Sequence, residues 1–187
     1  MAEPFLICGL PRSRTAWMAA AAQNDQSVCW HEPSAWTGRW DCVFDLWRSN
    51  SHRYVGVSDS LLGFHLPEII ARAAPRILVI ERDIGDVEAS GAALGLHHPN
   101  YCTLLKTHLA YAHPSIERVP YASLSDDRAV AACLLHLMPE AVIHMDRIKA
   151  LQSMNVQTDI GRVREEASKA DLQALFGPKI AAQLRAA

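Results

Sequence analysis

The chain has no long apolar run, no paired cysteines and no lysine ahead of Lys106. The first apolar run, Phe5-Leu6-Ile7-Cys8, stops at Gly9, and Met1-Ala2-Glu3-Pro4 before it carries no cationic stretch. Such a run is far too short for a membrane span or the apolar part of a secretion signal, so the expectation is a cytoplasmic protein with no membrane partner. The five cysteines (Cys8, Cys29, Cys42, Cys102, Cys133) are odd in number, scattered and without a C-x-x-C pair. That excludes a disulfide framework and a zinc knuckle and leaves them as small buried hydrophobes. Charge of one sign is also lacking: 18 Lys plus Arg stand against 20 Asp plus Glu, a formal net charge of -2. No chain-wide cationic field exists to attract nucleic acid, so any anion site must be local.

What is present is 187 residues, 50% of them hydrophobic, which is enough for one domain with its own core. No repeat, low-complexity tract or linker divides residues 1–187. From about residue 152 to 187 the pattern weakens into a polar loop and short surface helices, broken at Gly177-Pro178. Apolar runs at 5–8, 28–30, 54–57, 77–80 and 117–121 alternate with segments of helical period. This alternation predicts an α/β fold, a three-layer sandwich around a central, mostly parallel five-stranded sheet.

Among the helical segments, Trp36, Trp40, Val43, Phe44 and Trp47 fall on one stripe, predicting a single helix whose aromatic face packs into the core rather than forming an aromatic acceptor pocket. Residues 66–73 form another stripe with Pro67 in its first turn. Asp83 is placed to cap a helix over 84–94 that ends at Gly95. Further helices are expected over 103–112 and, capped by Ser125, over 126–138, with Pro139 opening the next.

The segment richest in chemistry is Gly9-Leu10-Pro11-Arg12-Ser13-Arg14-Thr15-Ala16-Trp17, a tight loop between an apolar strand and an alanine-rich helix. Backbone N–H groups left unpaired at a helix start, with two arginines and two hydroxyls beside them, make a phosphate cradle. A capping role for Ser13 or Thr15 explains the hydroxyls but not the two arginines. The nucleoside-triphosphatase loop G-x-x-x-x-G-K-[ST] is not met, since no lysine stands at its place.

These residues resemble the sulfotransferase family. The loop is similar to that family's 5'-phosphosulfate motif, P-[KR]-S-G-T-[TS]-W after a strand. Arg82-Asp83-Ile84-Gly85-Asp86-Val87-Glu88-Ala89-Ser90, following the apolar run at 77–80, is similar to its 3'-phosphate motif, and Val119-Pro120-Tyr121-Ala122-Ser123-Leu124 is a weaker echo of V-x-Y-E-x-L. The resemblance implies a P-loop NTPase-like fold and 3'-phosphoadenosine-5'-phosphosulfate (PAPS) as co-substrate. It implies that Arg12 contacts the sulfonate and 5'-phosphate. Gly9, Pro11, Ser13, Arg14, Thr15, Ala16 and Trp17 would supply the rest of that loop, and Arg82 and Ser90 would hold the 3'-phosphate. Arg14 for glycine, Ala16 for a hydroxyl residue, Ile84 for proline and Ala122 for glutamate depart from the motifs. No R-K-G triplet is found, leaving Arg162 and Arg164 as the nearby C-terminal cations that could replace it.

Sulfonate transfer to a small-molecule hydroxyl or amine also needs a group to take the acceptor's proton. The candidates at the ends of the second and third strands are, in order, Glu32, His31 and Asp59, with helix capping the competing role for Asp59. Asp59 stands where cytosolic members of the family carry a histidine. Lys106-Thr107-His108 repeats the family's catalytic letters in a helical context and is read as coincidence. The histidines at 97, 98, 108 and 113 lack ligand spacing, so no metal is expected. Two rivals stay open: a P-loop small-molecule kinase with Asp83 as magnesium ligand, and a nucleotide-binding module that has lost turnover.

Overall fold

The computed structural model describes residues 2–93 and 99–154. The expected helix end at Gly95, His97 and His98, Arg162 and Arg164, and nearly all of the segment 152–187 lie outside the described residues.

Five strands, β1 (Glu3–Gly9), β2 (Ser27–His31), β3 (Tyr54–Ser58), β4 (Arg76–Glu81) and β5 (Ile116–Pro120), form one sheet in the order β2-β3-β1-β4-β5. Every pairing is parallel. Side chains alternate across the sheet with the two-residue period of a strand and feed two separate cores. Phe5, Ile7, Leu78 and Ile80 pack against helices α1 (Thr15–Ala21), α7 (Asp127–Leu137) and α8 (Met145–Gln152). Leu6, Cys8, Val55, Val57, Ile77 and Val79 face α3 (Cys42–Ser49), α4 (Leu66–Ala73) and α6 (Pro99–Leu109). Burial on both faces is why the central strands read as continuous apolar runs. Two further helices, α2 (Pro33–Thr37) and α5 (Ile84–Ala92), follow β2 and β4, and 3-10 turns occupy Leu61–His65 and Tyr121–Ser125.

The expected sheet is present, and Asp83 caps α5 by accepting from the Gly85 backbone N–H at 2.7 Å. The aromatic stripe is divided between two helices. Gly38, at φ 67, takes the left-handed turn that ends α2, and α3 begins only at Cys42. Trp47 is buried, Trp40 stacks on His65 with ring centroids 4.3 Å apart, and Trp36 is 48% exposed. Asp126 rather than Ser125 caps α7, accepting from the Arg128 N–H at 2.9 Å. Pro139 does not open a helix either, since α8 starts at Met145, six residues later, with Asp146 in its first turn.

Close packing at the sheet centre depends on Gly56. A Cβ there would fall 2.0 Å from the ring of Phe5, which is itself fully buried. Gly56→Ala should therefore destabilise the fold by about 1–3 kcal/mol, the usual cost of overpacking a core, as read by urea unfolding. Among the described residues no helix is long and apolar enough to cross a membrane.

Candidate anion-binding site

All five strands run the same way, so their carboxyl ends share one rim of the sheet. The chain leaves β1 toward the α1 face, where Trp17 and Met18 are buried. It leaves the neighbouring strand β4 toward the opposite face, where Val87 of α5 is buried. Adjacent strands whose connections part in this way leave a crevice between them, the usual ligand position in an open parallel sheet.

The turn after β1 lines that crevice. Arg12 and Arg14 have φ 66 and φ 60, whereas Ser13 between them does not have a positive φ. Such alternation turns successive N–H groups toward one side and forms an anion-binding concavity. The following helix α1 is only seven residues long, so its dipole adds little beside the two guanidinium groups. At Gly9 the constraint is steric, because a Cβ there would stand 2.8 Å from the Ile80 carbonyl oxygen of β4. Thr15 and Trp17 are buried, Pro11 and Ala16 half-buried, and the Thr15 carbonyl accepts from Ser58 Oγ of β3 at 2.9 Å.

The two arginine-bearing turns meet directly. Arg82, just past β4, donates through Nη1 to the Arg12 backbone carbonyl. Arg12 Nε in turn donates to Ser90 Oγ of α5 at 3.3 Å. Arg12, Arg82 and Ser90, predicted at separate places in the chain, are thus one contiguous cluster. Arg82 forms its polar contact there, and no ion pair joins it to Asp86. Ser13 Oγ and Arg82 Nε are both buried without a hydrogen-bond partner among the described residues. Orphaned buried polar atoms are rare and costly, and two beside converging cations fit an anionic ligand with several acceptor oxygens. Arg14 differs, because its guanidinium is already taken up by the Leu124 carbonyl at 2.8 Å and by the rings of Trp17 and Tyr121.

At the same rim, the ends of β2 and β3 bring the proton-transfer candidates together. His31 pairs with Ser58, and the Asp59 N–H donates to the Ile7 carbonyl of β1 at 2.9 Å. Glu32, at φ 49, precedes α2, and its Oε1 lies 3.8 Å from His31 Nε2. Burial lifts the Glu32 carboxyl above its ordinary range and pushes the His31 ring down, the latter opposed by the charge of Asp59. Asp59 is fully buried. Burial, then the charge of Glu32, push its carboxyl up to about 6 against hydrogen bonds that favour the charged form. Those bonds come from the Ser34 N–H at 3.1 Å, the Ser34 hydroxyl and the Leu61 N–H at 2.9 Å. Asp59 therefore holds the start of α2 and the 3-10 turn in place, and of the three candidates it is the one occupied by structural bonds.

Tyr101 and Tyr121 carry roles that sequence reasoning did not assign. Burial, then the charges of Asp59 and Glu32, push the hydroxyl of Tyr101 on α6 well above its ordinary range. The Tyr121 ring lies 4.2 Å from the Arg82 guanidinium carbon. Its place in the weak V-x-Y echo was the one signal that could have singled it out. Lys106-Thr107-His108 lies within α6, as expected for a helical segment, and His108 packs edge-on against Phe64.

No family model matches the chain, and no curated protein matches it. Among solved structures it is similar to the crystal structure of a sulfotransferase from Alicyclobacillus acidocaldarius, with a TM-score of 0.53 and 15% identity over 100% of this chain and 96% of that one. At that identity the likeness is one of fold: the chain has a sulfotransferase-like α/β fold with an all-parallel five-stranded sheet.

Proposed function

We propose that the chain binds PAPS between the turns after β1 and β4 and moves its sulfonate to a hydroxyl or amine of a small-molecule acceptor. The observation that carries this reading is the joined cluster in which Arg82 holds the Arg12 carbonyl and Arg12 reaches Ser90. Arg12, with Ser13, Thr15 and the loop N–H groups, would hold the 5'-phosphosulfate, and Arg82 with Ser90 the 3'-phosphate. When bound, PAPS supplies an activated sulfonate with a phosphate leaving group.

For this chain's own residues, Arg12 places positive charge beside the leaving phosphate, where it counts most in a partly desolvated crevice. Glu32 accepts the acceptor's proton on its carboxylate, and burial, by raising its proton affinity, makes it a stronger base at neutral pH. His31 Nε2 stands 3.8 Å from that carboxylate, beyond hydrogen-bond reach, and is buried without a hydrogen-bond partner among the described residues. Asp59 anchors the backbone from which Glu32 projects.

The test is calorimetry with adenosine 3',5'-bisphosphate beside a labelled-sulfonate transfer screen over small hydroxyl and amine acceptors. Binding of the bisphosphate with transfer to at least one acceptor is the expected result. Absence of bisphosphate binding overturns the proposal. Binding without transfer would favour a module without turnover, and magnesium-dependent ATP turnover would favour a kinase.

A further inference from the structure

The turn after β1 carries an arginine at a position where glycine would fit more easily. Arg14 sits at φ 60, a region that glycine enters freely and other residues enter only against steric resistance. Its side chain is bound on several sides. Nη1 donates to the Leu124 carbonyl at 2.8 Å, and the guanidinium carbon lies 5.7 Å from the Trp17 ring centre and 5.5 Å from that of Tyr121. The same carbonyl accepts from Gln152 Nε2 at 2.8 Å, and Trp17 Nε1 donates to the Leu151 carbonyl at 2.9 Å. The turn after β1, the turn after β5 and the end of α8 are thereby tied at one point.

Tyr121 is shared. Its ring also receives the Arg82 guanidinium, at 4.2 Å, and Arg82 is the group that reaches across to the Arg12 carbonyl. Two like charges against one ring repel each other, and each is held away from the other by a backbone carbonyl, Arg14 by that of Leu124 and Arg82 by that of Arg12. With Arg14 fixed, Tyr121 is braced and Arg82 is directed toward Arg12.

We propose that Arg14 is a positioning residue. Held at Leu124 and against Tyr121, it sets the place of the Arg82 guanidinium and so the grip on the ligand's second phosphate. The consequence for binding rests on the PAPS reading of the site, whereas the coupling of Arg14 to Arg82 does not.

Arg14→Gly separates the two. Glycine suits φ 60, so the backbone of the turn is retained while the brace is lost. The readouts are the NMR signal of the buried Arg82 Nε–H, identified by its loss in Arg82→Lys, and the affinities for adenosine 3',5'-bisphosphate and adenosine 5'-phosphate. The Arg82 signal should move in Arg14→Gly and Tyr121→Leu and stay in Tyr121→Phe, which keeps the ring. Affinity for the bisphosphate should fall about tenfold, the upper part of what one cation–ring contact supplies, with less than about a twofold change for the monophosphate. An unmoved Arg82 signal in Arg14→Gly overturns the coupling. Equal losses for both nucleotides overturn the positioning role, because Arg14 would then serve the loop as a whole. If the unaltered protein binds the two nucleotides alike, the PAPS reading fails, and with it the service of the coupling to a second phosphate.

Discussion

Arg12→Ala is expected to weaken binding of adenosine 3',5'-bisphosphate by roughly 1.5–3 kcal/mol, the range of a hydrogen bond to a charged group, or about 10- to 150-fold. The substitution is informative because of how Arg12 is used. Arg82 is held by the Arg12 backbone carbonyl, which alanine keeps, so the two turns stay joined. Alanine meets the same steric resistance at φ 66 as arginine does, so the backbone cost changes little. What is lost is the guanidinium and its reach to Ser90. Unchanged affinity, measured by calorimetry, would reject the assignment of this loop to the ligand.

Asp59→Asn should change how stability depends on pH. The Asp59 carboxyl is pushed up to about 6 in the fold, from 3.8 when free in the chain. The folded state therefore holds this proton more tightly than the unfolded state. The stability this contributes is fully present below about pH 4 and is lost as pH rises through about 6, a change of about 3 kcal/mol. Asparagine does not titrate. Urea unfolding of both proteins at pH 4 and pH 7 should therefore show Asp59→Asn gaining about 2 kcal/mol relative to the parent, the part of that change that falls within the interval, in addition to a constant offset. That offset arises because an amide nitrogen must face either the Ser34 or the Leu61 N–H, both of which now donate to the carboxylate. A difference that does not vary with pH would mean the Asp59 carboxyl binds its proton equally in both states.

The central strands were legible because burial on both faces writes them as uninterrupted apolar runs, as in Phe5 to Cys8 and Ile77 to Ile80. Asp83 was legible for a local reason, since capping depends on neighbours in the chain. The tryptophan stripe misled because periodicity continues across a break. Trp36, Trp40 and Trp47 keep helical spacing although Gly38 reverses the backbone between them, and Gly38 was the signal to weigh. At Pro139 the preference of proline for a first turn was overridden, and α8 begins only after His144.

The site divides in the same way. The arginines and hydroxyls of the β1 turn stand together in sequence, and their density could be read directly. The link from Arg82 to the Arg12 carbonyl spans 70 positions, and that from Arg14 to Leu124 spans 110. Neither leaves a spacing pattern, because each depends on which strands become neighbours. The three carboxyl-side candidates were placed on one rim by the same strand logic, but only burial distinguishes the fully hydrogen-bonded Asp59 from Glu32.

The parallel run of β1 has a practical side. Glu3 and Gly9 are the two ends of that strand, so the chain enters the sheet about 20 Å from the arginine turns, on the edge where Arg53 bridges Glu3 and Glu140. A sensor chip or bead coupled ahead of Glu3 would hold the molecule by its foot, with the two arginine turns facing out to the bulk solution.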